Sequence, residues 1–392
     1  MRINVVLIIL ISLQLGCATS VIHTPVPENQ ISNAVVMQAP SIRFWGDDAR
    51  NEEQTQKKLE AWLALRKQHK FEQTNQSINF LALSGGGEDG SFAAGIITGW
   101  TRHGTRPEFD VITGVSAGAL ASPFVFLGPE YDEILFEVYS NLGNDDIYNT
   151  QIFSGLFGGT AILDTRPLKE LISHYVTSEV LQKIAFEHAK GRRLWIGTTN
   201  LDAGRPVIWD IGEIAASGRT QALELVHDIL LASSAVPGIF PPVIINVMVG
   251  DQQYTELHVD GGVTRQVFLY PPQYIQTDMI DTVDENVERN LYIIRNGRSQ
   301  AIYDPVKTSL YSISLKALSM TIENKAVGDL YRIYELTMRD GIDYNLAIIP
   351  KSFSLKPNES FDPEYTKALF NLGYKLAKSG YIWKKAPPEI DH

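Results

Sequence analysis

Ile112-Thr113-Gly114-Val115-Ser116-Ala117-Gly118-Ala119 (ITGVSAGA) sets one serine between two glycines, where an apolar run gives way to an alanine-rich segment. The run from Phe109 to Thr113 predicts a strand, and a helix is expected to open near Ala117. The sharp turn between them leaves room only for small side chains at Gly114 and Gly118. A serine at such an elbow has its hydroxyl lifted toward a cleft, as a nucleophile requires. The pattern Gly-x-Ser-x-Gly is common by chance, so its surroundings must decide its meaning.

Upstream, Ile78-Asn79-Phe80-Leu81-Ala82-Leu83 predicts another strand, which runs into Ser84-Gly85-Gly86-Gly87-Glu88-Asp89-Gly90. A helix follows from Ser91 to about Thr101, with Gly104 as its end signal. N–H groups of Gly85, Gly86 and Gly87 can converge on one oxygen at the positive end of that helix, as an oxyanion site needs. The spacing Gly85-x-Gly87-x-x-Gly90 also fits a dinucleotide fingerprint, with Asp110 at the distance of a ribose-binding carboxylate. That rival is weaker. Asp110 starts its strand instead of ending it, Glu88 and Asp89 would face a pyrophosphate, and the Ser116 turn already occupies the strand's carboxyl end.

Further strands are expected at Leu194–Thr199, Pro206–Asp210, Leu291–Arg295 and Leu346–Ile349, with helical patterns between several of them, such as Thr220–Leu231. The alternation predicts an α/β fold, a three-layer sandwich with a mostly parallel central sheet. Both glycine turns would open at the same sheet edge, where such folds bind ligands. No internal repeat is present. The chain has 8 histidines, none in a compelling position downstream of the serine. What stands out there is Leu257-His258-Val259-Asp260-Gly261-Gly262, a strand ending in a carboxylate and two glycines. Alone it reads as an ordinary Asp-Gly turn.

The 392 residues, 44% hydrophobic and 20% charged, are those of a globular chain. A net charge of -11 excludes the basic footprint that nucleic-acid binding needs. Cys17 is the one cysteine, so no intrachain disulfide can form. No metal-ligand spacing is present and no cofactor is implied. Arg2 followed by the apolar run Val5–Leu13 predicts a secretory signal over residues 1–16. Leu15-Gly16-Cys17-Ala18 resembles a bacterial lipobox, with Gln14 departing from the usual aliphatic residue; the alternative is an ordinary cleaved signal. A lipid anchor at Cys17 would hold the protein to a membrane in the bacterial cell envelope. Ala18 in place of Asp favours the outer membrane over the inner. Residues 17–76 are expected to form a tether, loosely packed to Arg50, and then a helical arm at Glu52–Lys70 with Leu59, Trp62, Leu63 and Leu65 on its apolar side.

The motifs together resemble the patatin-like phospholipases, serine acyl hydrolases that use a Ser-Asp dyad without histidine. The matching residues are Gly85-Gly86-Gly87-Glu88-Asp89-Gly90, Gly114-Val115-Ser116-Ala117-Gly118 and Asp260-Gly261-Gly262. Ala232–Pro242, Leu163–Leu168 and Gly197–Leu201 are similar to further blocks of bacterial members. The resemblance, which covers roughly Asn79 to Gly262, implies a lipoprotein-type bacterial member with a catalytic core at 77–270; residues 271–392 are expected to complete the same domain with helices and sheet-edge strands. It implies Ser116 as nucleophile, Asp260 as base, the glycine loop (chiefly Gly86 and Gly87) as oxyanion hole, and an acyl-enzyme on a lipid ester. Phe124, Phe126, Ile152, Phe153, Leu156 and Phe157 are candidates for an acyl pocket or lid, and His258 for a structural partner. The alternative is an envelope lipoprotein that binds lipid or a protein partner without turnover, with a helical stretch at Val306–Arg339 to support contacts. Two departures are Ser84, where the family often has Asp, and Asp89, where it often has a cation. Asp89 is expected to point outward or to pair with Arg102 or Arg106, and the loop to favour neutral or zwitterionic substrates. Oligomeric state is left open.

Overall fold

The strand Ile78–Leu83 is buried at every position, as it must be when helices cover both faces of its sheet. Its side chains alternate between two apolar layers. Phe80 and Ala82 join Leu59, Trp62 and Leu330 on one side, and Leu81 and Leu83 join Phe92, Ile96 and Phe370 on the other. The computed structural model describes residues 23–48, 52–70, 77–141, 143–150, 163–270, 287–298, 303 and 305–388. Its strands are β1 (Arg43–Trp45), β2 (Ile78–Leu83), β3 (Val111–Gly114), β4 (Asn149–Thr150), β5 (Leu163–Asp164), β6 (Arg193–Asn200), β7 (Arg205–Asp210), β8 (Val243–Val249), β9 (Gln252–Asp260), β10 (Arg289–Arg298) and β11 (Asp343–Ile349). The helices that matter below are α1 (Glu52–Lys70), α2 (Gly90–His103), α3 (Ala117–Leu127), α4 (Asp132–Asn141), α5 (Ala222–Ser233), α6 (Leu310–Arg339) and α7 (Pro363–Lys378).

The main sheet runs β1-β7-β6-β3-β2-β10-β11. From β6 to β11 every neighbouring pair is parallel, while β7 and β1 are antiparallel additions at one edge. The fold is therefore α/β, with a mostly parallel sheet between helical layers. Leu83 pairs with Gly114, so the two glycine turns leave the sheet side by side. The hairpin β8–β9 brings a third turn to the same edge, because β9 pairs with the end of β6 through Thr198 and Asp260.

The amino-terminal segment differs from the loose tether expected up to Arg50. Within residues 23–48, Val35 exchanges backbone hydrogen bonds with Met248 at 2.9 Å. The Arg43 guanidinium, held over the Trp209 ring, grips the buried Glu256 carboxylate at 2.5 and 3.0 Å. Pairings so far apart along the chain leave no local period to read. At the other end, β10 and β11 extend the same sheet, and α7 packs on α2 so tightly that a Cβ at Gly95 would stand 2.2 Å from the Phe370 carbonyl oxygen. No helix among the described residues is long and apolar enough to cross a membrane.

Candidate active site

Ser116 sits at φ 52 and ψ -124, between β3 and α3. A residue with a side chain is held there only against a cost of about 1–3 kcal/mol, so its surroundings must over-determine it. They do. A Cβ at Gly118 would stand 2.4 Å from the Leu83 carbonyl oxygen, and one at Gly114 would meet Ala119 at 2.8 Å. The Ser116 N–H donates to Ser233 Oγ at 3.0 Å, and the Ser233 hydroxyl donates to the Gly197 carbonyl at 2.7 Å. Ser233 thus ties the elbow to β6, a role the sequence does not signal.

Asp260 ends β9 and is 2% exposed. Its carboxylate accepts a hydrogen bond from the Gly262 N–H at 2.7 Å. Burial pushes its pKa up to about 6, with the neighbouring Ser116 hydroxyl and the Gly262 N–H pulling the other way. The glycines beside it are compelled by close approach. A Cβ at Gly261 would lie 2.4 Å from the Gly197 carbonyl oxygen, and one at Gly262 would lie 2.4 Å from Gln266 Nε2. His258 shares the strand but faces other partners, Thr198 Oγ1 at 3.0 Å and Glu256 Oε2 at 3.1 Å. Burial lowers its pKa, against the pull of Glu256. Asp110 lies at the opposite end of β3, bound to Arg66 at 2.8 Å, far from the role a dinucleotide would give it.

The glycine loop needs one correction. The Gly85 N–H donates to the Gln266 carbonyl at 3.2 Å, so it is not available to an oxyanion. Gly85 serves by being small, since a Cβ there would stand 2.3 Å from Gln266 Oε1 and 3.1 Å from Ser116 Cβ. Gly86 and Gly87 border the same cavity as Ser116, and neither N–H has an acceptor among the described residues. Asn296, at the end of β10, clamps the loop. Its N–H donates to Ser84 Oγ and its Nδ2 to the Ser84 carbonyl, both at 2.9 Å, while its Oδ1 accepts from the Ala93 N–H at 3.1 Å. Ser84 is thus bound where relatives often have Asp. Gln266 fills the space between the glycine loop and the dyad turn, and its own N–H donates to the buried Asp329 carboxylate of α6 at 2.8 Å. Neither Asn296 nor Gln266 was anticipated. The polar pair Arg295-Asn296 that ends the apolar run Leu291–Ile294 is a signal that could have found Asn296; Gln266 has none.

A cavity of about 400 Å³ opens on Ser116, walled by Phe124, Leu168, Ile172, Tyr175, Leu230 and Phe240 among others. Phe124 therefore lines it as expected, whereas Phe126 is wholly buried in the core. Ile152, Phe153, Leu156 and Phe157 lie outside the described residues, as does Cys17. Asp89 does not pair with Arg102 or Arg106. Its Oδ1 accepts from the Tyr365 hydroxyl of α7 at 2.5 Å, while Arg106 holds Asp132 at 2.8 Å. The packing of α7 on α2 supplies that partner from the far end of the chain. It is Glu88 that borders the cavity, with its carboxylate on the Phe361 N–H at 2.6 Å. Burial raises the Glu88 pKa to about 7. Among the described residues, no group of three or more His, Cys, Asp or Glu side chains is placed to hold a metal ion.

These two carboxyls give an expected pH profile. Hydrolysis of a neutral ester should rise through about pH 6 as Asp260 loses its proton, then fall above about pH 7 as Glu88 becomes charged beside the oxyanion site. Glu88→Gln should remove the fall and keep the rise. An upper limb unchanged by the substitution would show that the Glu88 charge does not reach the reacting oxygen.

The family model of the patatin-like phospholipases matches residues 81–300, more than half of the chain, and the chain belongs to that family. The family acts on the acyl esters of lipids, and the match spans both glycine turns and the Asp260 turn. Among solved structures, the crystal structure of VipD from Legionella pneumophila is similar at 13% identity, covering 78% of this chain and 67% of that one with a TM-score of 0.36. No curated protein matches the chain.

Proposed function

We propose that the chain hydrolyses carboxylic esters of lipids, as a lipase, esterase or phospholipase A, through Ser116 and Asp260. The juxtaposition of Ser116, held at φ 52 on its elbow, with the buried Asp260 carboxylate whose charged form it favours carries this reading. Asp260 takes the hydroxyl proton as Ser116 Oγ bonds to the ester carbonyl carbon, and the carbonyl electron pair moves onto oxygen. The N–H groups of Gly86 and Gly87 receive that oxyanion. Its collapse breaks the bond to the alcohol, which leaves with the proton from Asp260. Water then attacks the acyl-serine, gives its proton to Asp260, and the second collapse releases the fatty acid as Ser116 recovers its proton. A carboxylate with a pKa near 4 would be a feeble base, and burial brings this one closer to the working pH. The apolar cavity is suited to an acyl chain. An ester panel combined with mass-spectrometric location of a fluorophosphonate adduct tests the proposal. An adduct on any serine other than Ser116, with hydrolysis intact, would refute it.

We further propose that Cys17 carries a lipid anchor in a bacterial envelope, on the evidence of Leu15-Gly16-Cys17-Ala18 after an apolar run. Radiolabelled fatty acid should enter the wild-type protein and fail to enter Cys17→Ser. An unlabelled wild type would remove the anchor, and fractionation of the cells would separate outer from inner membrane.

A further inference from the structure

Half of the large apolar side chains that stand exposed among the described residues fall between Tyr303 and Met320. Leu310 is 84% exposed and Tyr303 is 83% exposed, with Ile313 and Met320 about half exposed. Soluble proteins rarely leave a contiguous apolar surface uncovered without a use for it. From Leu310 to Lys325 the helix α6 has no buried residue, and its burial in the core begins at Ala326. Leu310, Ile313, Ala317 and Met320 recur at helical spacing and stand exposed, forming one outward stripe. The other side of the same turns meets the active site. Ser319 lines the acyl cavity with Gly86 and Ser116, and a Cβ at Gly238 would stand 3.6 Å from Leu315 Cδ2. The apolar stripe therefore lies on the outside of a helix whose inner side borders the cavity.

We propose that this amino-terminal half of α6, with the segment leading into it, is the face that docks on an anionic lipid surface. Charge selects that occupant. The chain carries a net charge of -11, yet from Tyr303 to Met320 it has Lys307 and Lys316 against the single carboxylate Asp304. An apolar stripe flanked by lysines enters the headgroup boundary of a bilayer, with the apolar area and the positive charge both adding to binding. Docked this way, α6 lies on the lipid with its inner side still on the cavity, which holds Ser116 close to the bilayer that carries its substrate. The proposal deepens the hydrolase reading and rests on it for the identity of the substrate.

The experiment uses the full chain with Cys17→Ser, which leaves no other thiol. Leu310→Cys in that background carries an environment-sensitive fluorophore, and Phe186→Cys, 65% exposed on the helix Ser178–Ala189, carries the control. Vesicles of phosphatidylcholine with about one quarter phosphatidylglycerol should shift the Leu310 probe to the blue and leave the Phe186 probe unmoved. The shift should weaken in about 0.5 M NaCl and in Lys307→Glu/Lys316→Glu. Without labels, Leu310→Asp/Ile313→Asp should slow hydrolysis of a vesicle-borne ester about tenfold or more and leave a water-soluble short-chain ester within about twofold. A Leu310 probe that ignores vesicles overturns the proposal. So does one that shifts with protein concentration alone, since a second copy would then cover the face. If the parent chain hydrolyses neither ester, the hydrolase reading fails, and the probe still decides the docking.

Discussion

Ser116→Ala should lower ester hydrolysis by about 10⁴-fold or more and abolish labelling by a fluorophosphonate, with the fold intact. The substitution removes the atom that bonds to substrate while leaving the elbow's backbone bonds, Ser116 N–H to Ser233 and Val115 N–H to Leu83, in place. It also releases the backbone strain only if the turn collapses, which the close approach of Gly118 to Leu83 prevents. His258→Ala is the informative control. His258 is fully buried between Thr198 and Glu256, and the Glu256 carboxylate, pushed up by burial, is nevertheless held at about 2 by His258 and Arg43. Losing the imidazole leaves a cavity and an underpaired carboxylate, a cost of about 2–4 kcal/mol. The variant should melt earlier and still take the label at its working temperature. Retained hydrolysis in Ser116→Ala, or lost labelling in a folded His258→Ala, would reassign the nucleophile or the base.

The parallel core was legible because its signals are local. β2 begins and ends where its apolar run does, Ile78–Leu83, and Gly104, at φ 85, closes α2 in the left-handed conformation its type suggests. Ser116 could be named because small residues crowd its turn, and crowding is written in the sequence as glycine. Asp260, an ordinary Asp-Gly turn by itself, could be named only through the resemblance to the patatin-like phospholipases. What could not be read is pairing across long stretches of chain. The docking of residues 23–48 depends on Arg43 finding Glu256, and the anchoring of Asp89 depends on Tyr365. β8 (Val243–Val249), half exposed at several positions, is recognisable only once β9 lies beside it. The role given to the Gly85 N–H failed for the same reason, since its acceptor is the backbone of Gln266 and a backbone carbonyl has no sequence. The candidate site is thus a local motif whose electrostatics are set by remote partners.

Asp260→Asn should be almost as damaging to turnover as Ser116→Ala and should stabilise the fold at the same time. Without a base, turnover should fall by about 10³-fold or more. The same change relieves the fold of a buried charge. Asp260 is pushed up to about 6 in the folded protein, chiefly by burial, from the usual carboxylate range near 4. A carboxyl with a raised folded pKa favours folding fully only below its unfolded pKa, and that contribution is lost as pH rises through the folded value. Above about pH 7 the ionised Asp260 therefore costs about 3 kcal/mol relative to its protonated form, since one pKa unit is worth about 1.4 kcal/mol. Asparagine carries no charge at any pH, and its Oδ1 can still accept from the Gly262 N–H. At pH 8 the variant should melt several degrees above the parent, given about 2–4 °C per kcal/mol for a chain of this size. At pH 4, where Asp260 is protonated in the folded protein and about half protonated in the unfolded chain, most of the difference should close. A gain that persists unchanged at pH 4 would place its origin in packing, and no gain at pH 8 would mean that Asp260 is not held in the dry, strained ionisation on which its strength as a base depends.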